Sequence, residues 1–180
     1  MTRRAAMLIV LGLLSSAQVM PAGAQAPPPA WLQDASGSAA KVETRHLVAG
    51  TEAIDLSSAA AGRVTLRLRL TPRPGMRVYA HDATGYVPLS LRLDPVTGLT
   101  IRRPAYPSAM SYVFPPTGER SRVYETAVTV EQVVVLSEAL RRRLRGDDET
   151  TLSATLRYQA CDDTLCYRPE TVRIAWQVGR

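Results

Sequence analysis

The chain has 180 residues, of which 46% are hydrophobic, and its formal net charge is +6 at pH 7. This size and apolar content fit one domain with a hydrophobic core. All of the 22 basic residues except Lys41 are arginines, and they are scattered along the chain instead of being gathered with aromatic residues. We therefore expect no nucleic-acid binding.

The first 26 residues have the features of a secretory signal peptide. Arg3 and Arg4 precede an apolar run at residues 5–14, and small residues suited to cleavage end at Ala24 and Ala26. The run is too short to span a bilayer, and no later segment is long and apolar enough, so no membrane span is expected in the mature chain. Cleavage near either alanine would deliver the protein to an oxidising compartment, the periplasm in a Gram-negative host, where disulfides persist.

Residues 27–40 are rich in Pro, Ala, Ser and Gly, which predicts a flexible leader, and residues 41–180 are then the folded domain. Apolar and polar residues alternate at residues 62–71, which predicts a half-buried strand. Its inward positions are Val64, Leu66, Leu68 and Leu70.

The rest of the domain is predicted to be almost entirely β-structure. Strands are indicated at residues 76–80, 89–93, 99–102, 121–135, 151–158 and 172–178. Residues 104–117 contain four prolines and are expected to form a loop. Residues 137–145 predict a short helix with Ser137 as its N-cap and Gly146 closing it. Seven or eight short strands with at most one short helix are typical of an all-β, antiparallel β-sandwich.

The two cysteines, Cys161 and Cys166, lie in the connection between the last two predicted strands, close enough for a disulfide. In the chain-entropy model a loop of about six residues stabilises by roughly 2 kcal/mol, against nearly 5 kcal/mol for a loop of about 100 residues. Because this bridge would stabilise little, a redox pair is favoured over a structural disulfide, which remains the alternative. Two thiolates without a nearby histidine supply only half of a tetrahedral zinc set, so no metal is expected.

Asp162 and Asp163 lie between the two cysteines. Their like charge disfavours a thiolate, which predicts a disulfide that is attacked by a partner's thiolate instead of a pair that attacks readily. The alternative for the two aspartates is ordinary solvation of a loop.

Residues 158–170, Tyr-Gln-Ala-Cys-Asp-Asp-Thr-Leu-Cys-Tyr-Arg-Pro-Glu, resemble the Tyr-Gln-x-Cys…Cys-x-x-Pro signature of the N-terminal periplasmic domain of the thiol:disulfide interchange protein DsbD. Segments 74–79, 106–107 and 123–125 are weaker matches in the same order, and the resemblance covers roughly residues 42–178. It implies an immunoglobulin-like sandwich that needs no cofactor. Its cysteine pair would take electrons from a membrane-embedded protein and pass them to periplasmic thioredoxin-fold partners.

The same resemblance implies roles for particular residues. Cys161 and Cys166 would be the redox pair, with Cys166 forming mixed disulfides. A cap loop should lie within residues 112–118 with Phe114 as the shield, and Tyr79 and Tyr167 should help to shape the site. Pro115 and Pro116 depart from the family's cap pattern.

The chain ends at Arg180 with neither a polytopic membrane domain nor a thioredoxin domain, so we expect a membrane electron donor that acts in trans. Two hypotheses follow. The first is a periplasmic thiol-disulfide interchange protein, and the second is a secreted β-sandwich interaction module with a purely structural disulfide. A reduction potential well below about −300 mV would mark a structural bridge.

Overall fold

A computed structural model describes residues 41–56, 62–145 and 150–179. The predicted signal peptide and leader, at residues 1–40, and the predicted helix-closing Gly146 lie outside the described residues. Among the helices that are described, none is both long and apolar enough to cross a membrane.

The described residues form thirteen strands and one helix. In chain order these are β1 (Lys41–Glu43), β2 (Leu47–Thr51), β3 (Ile54–Asp55), β4 (Arg63–Pro72), β5 (Arg77–Tyr79), β6 (Ser90–Leu93), β7 (Leu99–Ile101), β8 (Met110–Val113), β9 (Arg120–Tyr124), β10 (Val128–Leu136), α1 (Glu138–Arg145), β11 (Thr150–Tyr158), β12 (Ala160–Cys161) and β13 (Glu170–Gly179). The strands outnumber the seven or eight expected because several have only two or three residues, too few to show an alternating pattern.

The strands form three sheets. Sheet A has the order β1-β2-β4-β10-β7, sheet B the order β3-β13-β11-β6, and sheet C the order β12-β5-β9-β8. The pairs are antiparallel apart from the short parallel contact between β3 and β13. The expected immunoglobulin-like, antiparallel β-sandwich with one short helix is therefore confirmed.

Sheets A and B face each other across the core. The predicted alternation of β4 is confirmed, because Val64, Leu66, Leu68 and Leu70 are all buried. They join a core cluster that includes Ile174 and Trp176 of β13, and the Trp176 indole donates a hydrogen bond of 3.0 Å to the carbonyl of Arg67 in β4. The inner face of sheet C joins the same cluster through Val78, Tyr124 and Ala160. The outer face of sheet C carries a second, smaller hydrophobic cluster.

Two predictions about local structure have different outcomes. The N-cap of α1 is confirmed, since the Ser137 hydroxyl accepts a hydrogen bond of 3.2 Å from the amide of Leu140. The expectation that residues 104–117 are wholly a loop is wrong, because β8 lies within them. Among the described strands, β8 pairs with β9 and lies at the edge of sheet C. The prolines that flank β8 therefore remove no hydrogen bond between strands.

Candidate redox site

The cysteines lie at one edge of sheet C. After β11 the chain leaves sheet B and forms β12, in which Ala160 pairs with Val78 and Cys161 with Arg77. The loop then turns back, and the amide of Tyr167 donates a hydrogen bond of 2.9 Å to the Ala160 carbonyl. Cys161 and Cys166 are joined by a disulfide, with their Cα atoms 4.1 Å apart.

The two cysteines differ in exposure. Cys161 is only 1% exposed, whereas Cys166 is partly exposed. Both belong to a small cluster on the outer face of sheet C, here called the redox cluster, which contains Tyr79, Ala83, Tyr86, Tyr112, Phe114, Val123, Cys161 and Cys166. The disulfide therefore joins a buried cysteine, Cys161, to a partly exposed one, Cys166.

Tyr79, predicted to lie near the site, contacts both sulfurs. Its hydroxyl is 3.1 Å from the Cys161 Sγ and 3.3 Å from the Cys166 Sγ. A disulfide sulfur carries no proton, so only the phenol can donate in these contacts. Burial, followed by a hydrogen bond to Tyr86, raises the pKa of Tyr79 well above its usual value. Tyr79 therefore stays protonated near neutral pH and can donate to whichever sulfur becomes a thiolate.

The predicted cap corresponds to the hairpin that joins β8 to β9. The amide of Phe114 donates to the Glu119 carbonyl at 2.8 Å, and the amide of Gly118 donates to the Phe114 carbonyl at 2.8 Å. Gly118 has a φ of 71°, a left-handed conformation that favours glycine. Phe114 is 7% exposed and belongs to the redox cluster, whereas Pro115 and Pro116 are exposed in the turn beyond it.

Sequence reasoning missed two residues beside Tyr79. The ring of Tyr86 stacks on the ring of Tyr79, with centroids 4.1 Å apart and an interplanar angle of 8°. The hydroxyl of Tyr86 donates a hydrogen bond to the carboxylate of Glu119 in the cap hairpin. No local motif marks either residue, because the chain fold alone brings them to Tyr79.

Asp162 organises the loop between the cysteines. One of its carboxylate oxygens accepts hydrogen bonds from the amides of Thr164 and Leu165, at 2.8 and 2.7 Å, and the other accepts one from the Tyr167 hydroxyl at 2.7 Å. The amide of Thr164 and then the hydroxyl of Tyr167 lower the pKa of Asp162 below its usual range. The carboxylate is therefore a structural acceptor as well as a charge near the sulfurs.

Asp163 is paired with a cation. Its carboxylate lies 2.7 Å from the guanidinium of Arg77 and accepts a hydrogen bond of 3.1 Å from the Tyr112 hydroxyl. Arg77 also bonds to Glu125, and its guanidinium lies 4.1 Å from the centre of the Tyr112 ring. The positive charge of Arg77 offsets part of the negative charge that the sequence places between the cysteines.

Tyr167, the remaining residue expected to shape the site, holds the end of the loop. Its carbonyl accepts a hydrogen bond of 2.9 Å from the Gln159 side chain, and its ring packs against His46 with centroids 4.3 Å apart. Together with its bonds to Ala160 and Asp162, these contacts fix the residue that follows Cys166. Among the residues that the structure describes, no group of His, Cys, Asp or Glu is arranged to hold a metal ion.

The fold and the site define a β-sandwich domain with a short, partly exposed disulfide that packs among aromatic side chains. The family model described as "Thiol:disulfide interchange protein DsbD, N-terminal" matches residues 44–177. The chain therefore belongs to the family of DsbD N-terminal domains, a family of thiol-disulfide interchange proteins.

Solved structures give further similarities. The N-terminal periplasmic domain of ScsB from Proteus mirabilis matches with a TM-score of 0.50 and 16% identity, over 77% of this chain and 51% of that chain. This chain thus spans about half the length of that structure, and the similarity supports the fold. The N-terminal domain of DsbD from Neisseria meningitidis, in the reduced form, has a TM-score of 0.42 and 16% identity, over 68% of this chain and 87% of that chain. No curated protein sequence matches the chain.

Proposed function

We propose that the protein is a periplasmic thiol-disulfide interchange protein that relays electrons through Cys161 and Cys166, to or from thioredoxin-fold partners. The observation that carries the proposal is the difference in exposure within the disulfide, since Cys161 is 1% exposed and Cys166 partly exposed. Membership of the DsbD N-terminal family supports the same chemistry. The family resemblance also supports a membrane protein as the electron donor, and the ScsB domain similar to this chain is described as periplasmic.

The exchange reaction begins at Cys166, the more accessible of the two cysteines. A partner thiolate attacks the Cys166 Sγ, a bond forms between the two sulfurs, and the bond from Cys166 to Cys161 breaks. The electron pair of the broken bond remains on Cys161, which takes up a proton. A second partner thiolate then attacks the partner's sulfur in the mixed disulfide. Cys166 leaves as a thiolate, so the partner ends oxidised and this pair ends reduced by two electrons.

The surroundings of the disulfide fit this sequence of steps. The Tyr79 hydroxyl, 3.1 Å from the Cys161 Sγ, can donate a hydrogen bond to the thiolate that leaves. Phe114 packs in the redox cluster, and we infer that it limits access to the disulfide. In the reverse direction, Cys161 attacks the Cys166 Sγ of a mixed disulfide and releases the partner as a thiolate.

A trapping experiment tests the proposal. A Cys161→Ala variant keeps Cys166, which can form a mixed disulfide with a partner, but lacks the cysteine that resolves it. The variant should therefore accumulate adducts with thioredoxin-fold proteins in a periplasm that contains them. These adducts should disappear on treatment with reductant, and mass spectrometry should identify the trapped partners. The matched Cys166→Ala variant should give few adducts.

The reduction potential of the wild-type pair provides a second measurement. A redox pair should have a potential above about −300 mV. A potential well below that value, together with an absence of adducts for both single-cysteine variants, would support the interaction module with a structural disulfide instead.

A further inference from the structure

The position of Cys166 in the reduced protein depends on noncovalent contacts. Cys161 is fixed within β12, where it pairs with Arg77, and only 1% of it is exposed. Cys166 lies in the loop that follows β12 and is partly exposed. Once the bond between the two sulfurs is open, hydrogen bonds and packing must hold Cys166 beside Cys161. The contacts of the residues next to the cysteines can therefore control how readily the disulfide closes again.

The residue after Cys166 is bonded to the two residues before Cys161. The amide of Tyr167 donates a hydrogen bond of 2.9 Å to the Ala160 carbonyl, and the carbonyl of Tyr167 accepts one of 2.9 Å from the side chain of Gln159. Both backbone polar groups of Tyr167 are thus bonded to the chain that leads into Cys161. These two bonds, here called the clamp, lie outside the ring that the disulfide closes, so they can persist when it opens.

Gln159 is the part of the clamp that the sequence can change, because the bond to Ala160 involves backbone atoms alone. The side-chain oxygen of Gln159 accepts a hydrogen bond of 2.9 Å from the amide of Val87, and its main-chain carbonyl accepts one of 3.0 Å from the amide of Tyr79. The bond from Val87 requires the side-chain oxygen on that side, which directs the NH₂ group to Tyr167. Gln159 therefore reaches Tyr167 from a position that is anchored on two other segments.

We propose that Gln159 is a positioning residue that keeps Cys166 beside Cys161 when the disulfide is open, and that it thereby shifts the equilibrium of the pair towards the disulfide. The inference rests on the proposed function, and it adds to that function a residue that acts on Cys166 through Tyr167.

The effect follows from the coupling of the clamp to the disulfide. In the oxidised protein the bond between the sulfurs already holds Tyr167 close to Gln159, so the clamp forms with little further loss of chain entropy. In the reduced protein the clamp must itself order the loop. Removal of the Gln159 bond therefore costs the oxidised form more than the reduced form, and the disulfide becomes easier to reduce.

Exchange with glutathione measures this equilibrium in solution. The Cys166 thiolate attacks glutathione disulfide and releases one glutathione thiolate, and the Cys161 thiolate then attacks the Cys166 Sγ and releases the second. The two cysteine protons pass through water to the two glutathione thiolates. Glutathione disulfide is reduced by two electrons while the cysteine pair is oxidised. Since the second step alone requires Cys161 and Cys166 to be adjacent, that step should respond to the clamp.

Two variants of Gln159 test the contact. Gln159→Met keeps the length of the side chain and removes both of its hydrogen bonds, whereas Gln159→Glu keeps the acceptor for Val87 and removes the donor to Tyr167. One neutral hydrogen bond commonly changes an equilibrium constant about two- to tenfold. Each variant should lower the oxidation constant with glutathione by about that factor, and a tenfold change corresponds to a potential about 30 mV more oxidising. Agreement between a neutral and a charged substitution separates the lost bond from the added charge.

Kinetics and a matched control show whether the effect is specific to the loop. In both Gln159 variants, resolution of the mixed disulfide with glutathione should slow by a similar factor, while its formation should not slow. Gln177→Met is the control. Gln177 is half-buried like Gln159, and its side chain accepts a hydrogen bond of 3.0 Å from the Thr151 hydroxyl, at the other end of the β11–β13 pair from Tyr158. This variant should keep the wild-type oxidation constant.

The outcomes separate this inference from the proposed function. An oxidation constant that is unchanged in both Gln159 variants overturns the clamp, while the redox pair still stands. Equal falls in Gln159→Met and Gln177→Met overturn the clamp too, because the effect would then not depend on the contact with Tyr167. A wild-type potential well below about −300 mV, without trapped partners for the single-cysteine variants, overturns the proposed function, and the inference falls with it.

Discussion

Reduction of the disulfide should leave the sandwich folded. The bond joins residues with a sequence separation of 5, so the loop that it closes is short. For a loop of this size the chain-entropy model gives a stabilisation of about 2 kcal/mol. A domain of this size typically has a free energy of unfolding of roughly 5–15 kcal/mol, so most of the stability should remain after reduction.

The contacts of the loop support the same expectation. The Tyr167 amide bonds to the Ala160 carbonyl at 2.9 Å, and the Asp162 amide bonds to the Leu165 carbonyl at 3.0 Å. The Asp162 carboxylate adds hydrogen bonds from Thr164 and Leu165. None of these bonds requires the sulfurs to be joined, so the loop can keep its conformation when the disulfide opens.

Urea unfolding with and without reductant, followed by circular dichroism, measures the effect. With a slope of roughly 2 kcal/mol per molar urea, a loss of about 2 kcal/mol moves the midpoint down by about 1 M at unchanged slope. The double variant Cys161→Ala, Cys166→Ala is the control, and its midpoint should not respond to reductant. Loss of the far-ultraviolet β-sheet signal on adding reductant without urea would refute the reasoning, because it would show that the bridge holds the fold together.

Two further predictions concern access to the cysteines and the charge beside them. Phe114→Ala should make the reduced thiols react several-fold faster with a small alkylating agent, and an unchanged rate would remove Phe114 from the site. The double variant Asp162→Asn, Asp163→Asn should favour the thiolate and speed alkylation at neutral pH. The gain should be only about two- to fivefold, as for exposed charges generally. Slower alkylation in the double variant would contradict the predicted effect of the like charges.

The long strands of the fold could be predicted from the sequence, whereas several short ones could not. The alternation that predicts β4 is a local property, and burial of every second residue follows from the pleat. β2 was missed because its sequence, Leu-Val-Ala-Gly-Thr, contains two residues that are poor strand formers. β8 was missed because prolines surround it and its four residues do not alternate between buried and exposed.

The candidate site was predictable only where a motif marks it. The cysteines and Asp162 lie within one short segment, and the order of the family's motifs pointed to Tyr79 and Phe114. The contacts among the other residues join distant parts of the chain. Arg77 and Asp163 are 86 positions apart, and Tyr86 and Glu119 are 33 apart. Such pairs carry no local signal, because they form only when sheet C assembles.

The structure also changes how the control of reactivity is understood. From the sequence alone, the negative charges of the two aspartates are the main reason to expect that the reduced cysteines attack slowly. In the fold, Asp163 is paired with Arg77 at 2.7 Å, and the Asp162 carboxylate is occupied by hydrogen bonds from the loop. These contacts reduce the effect of the two negative charges, but they do not change the burial of Cys161 or the packing of Phe114 in the redox cluster. Access should therefore limit the reaction more than charge does, so Phe114→Ala should accelerate alkylation more than the double aspartate variant.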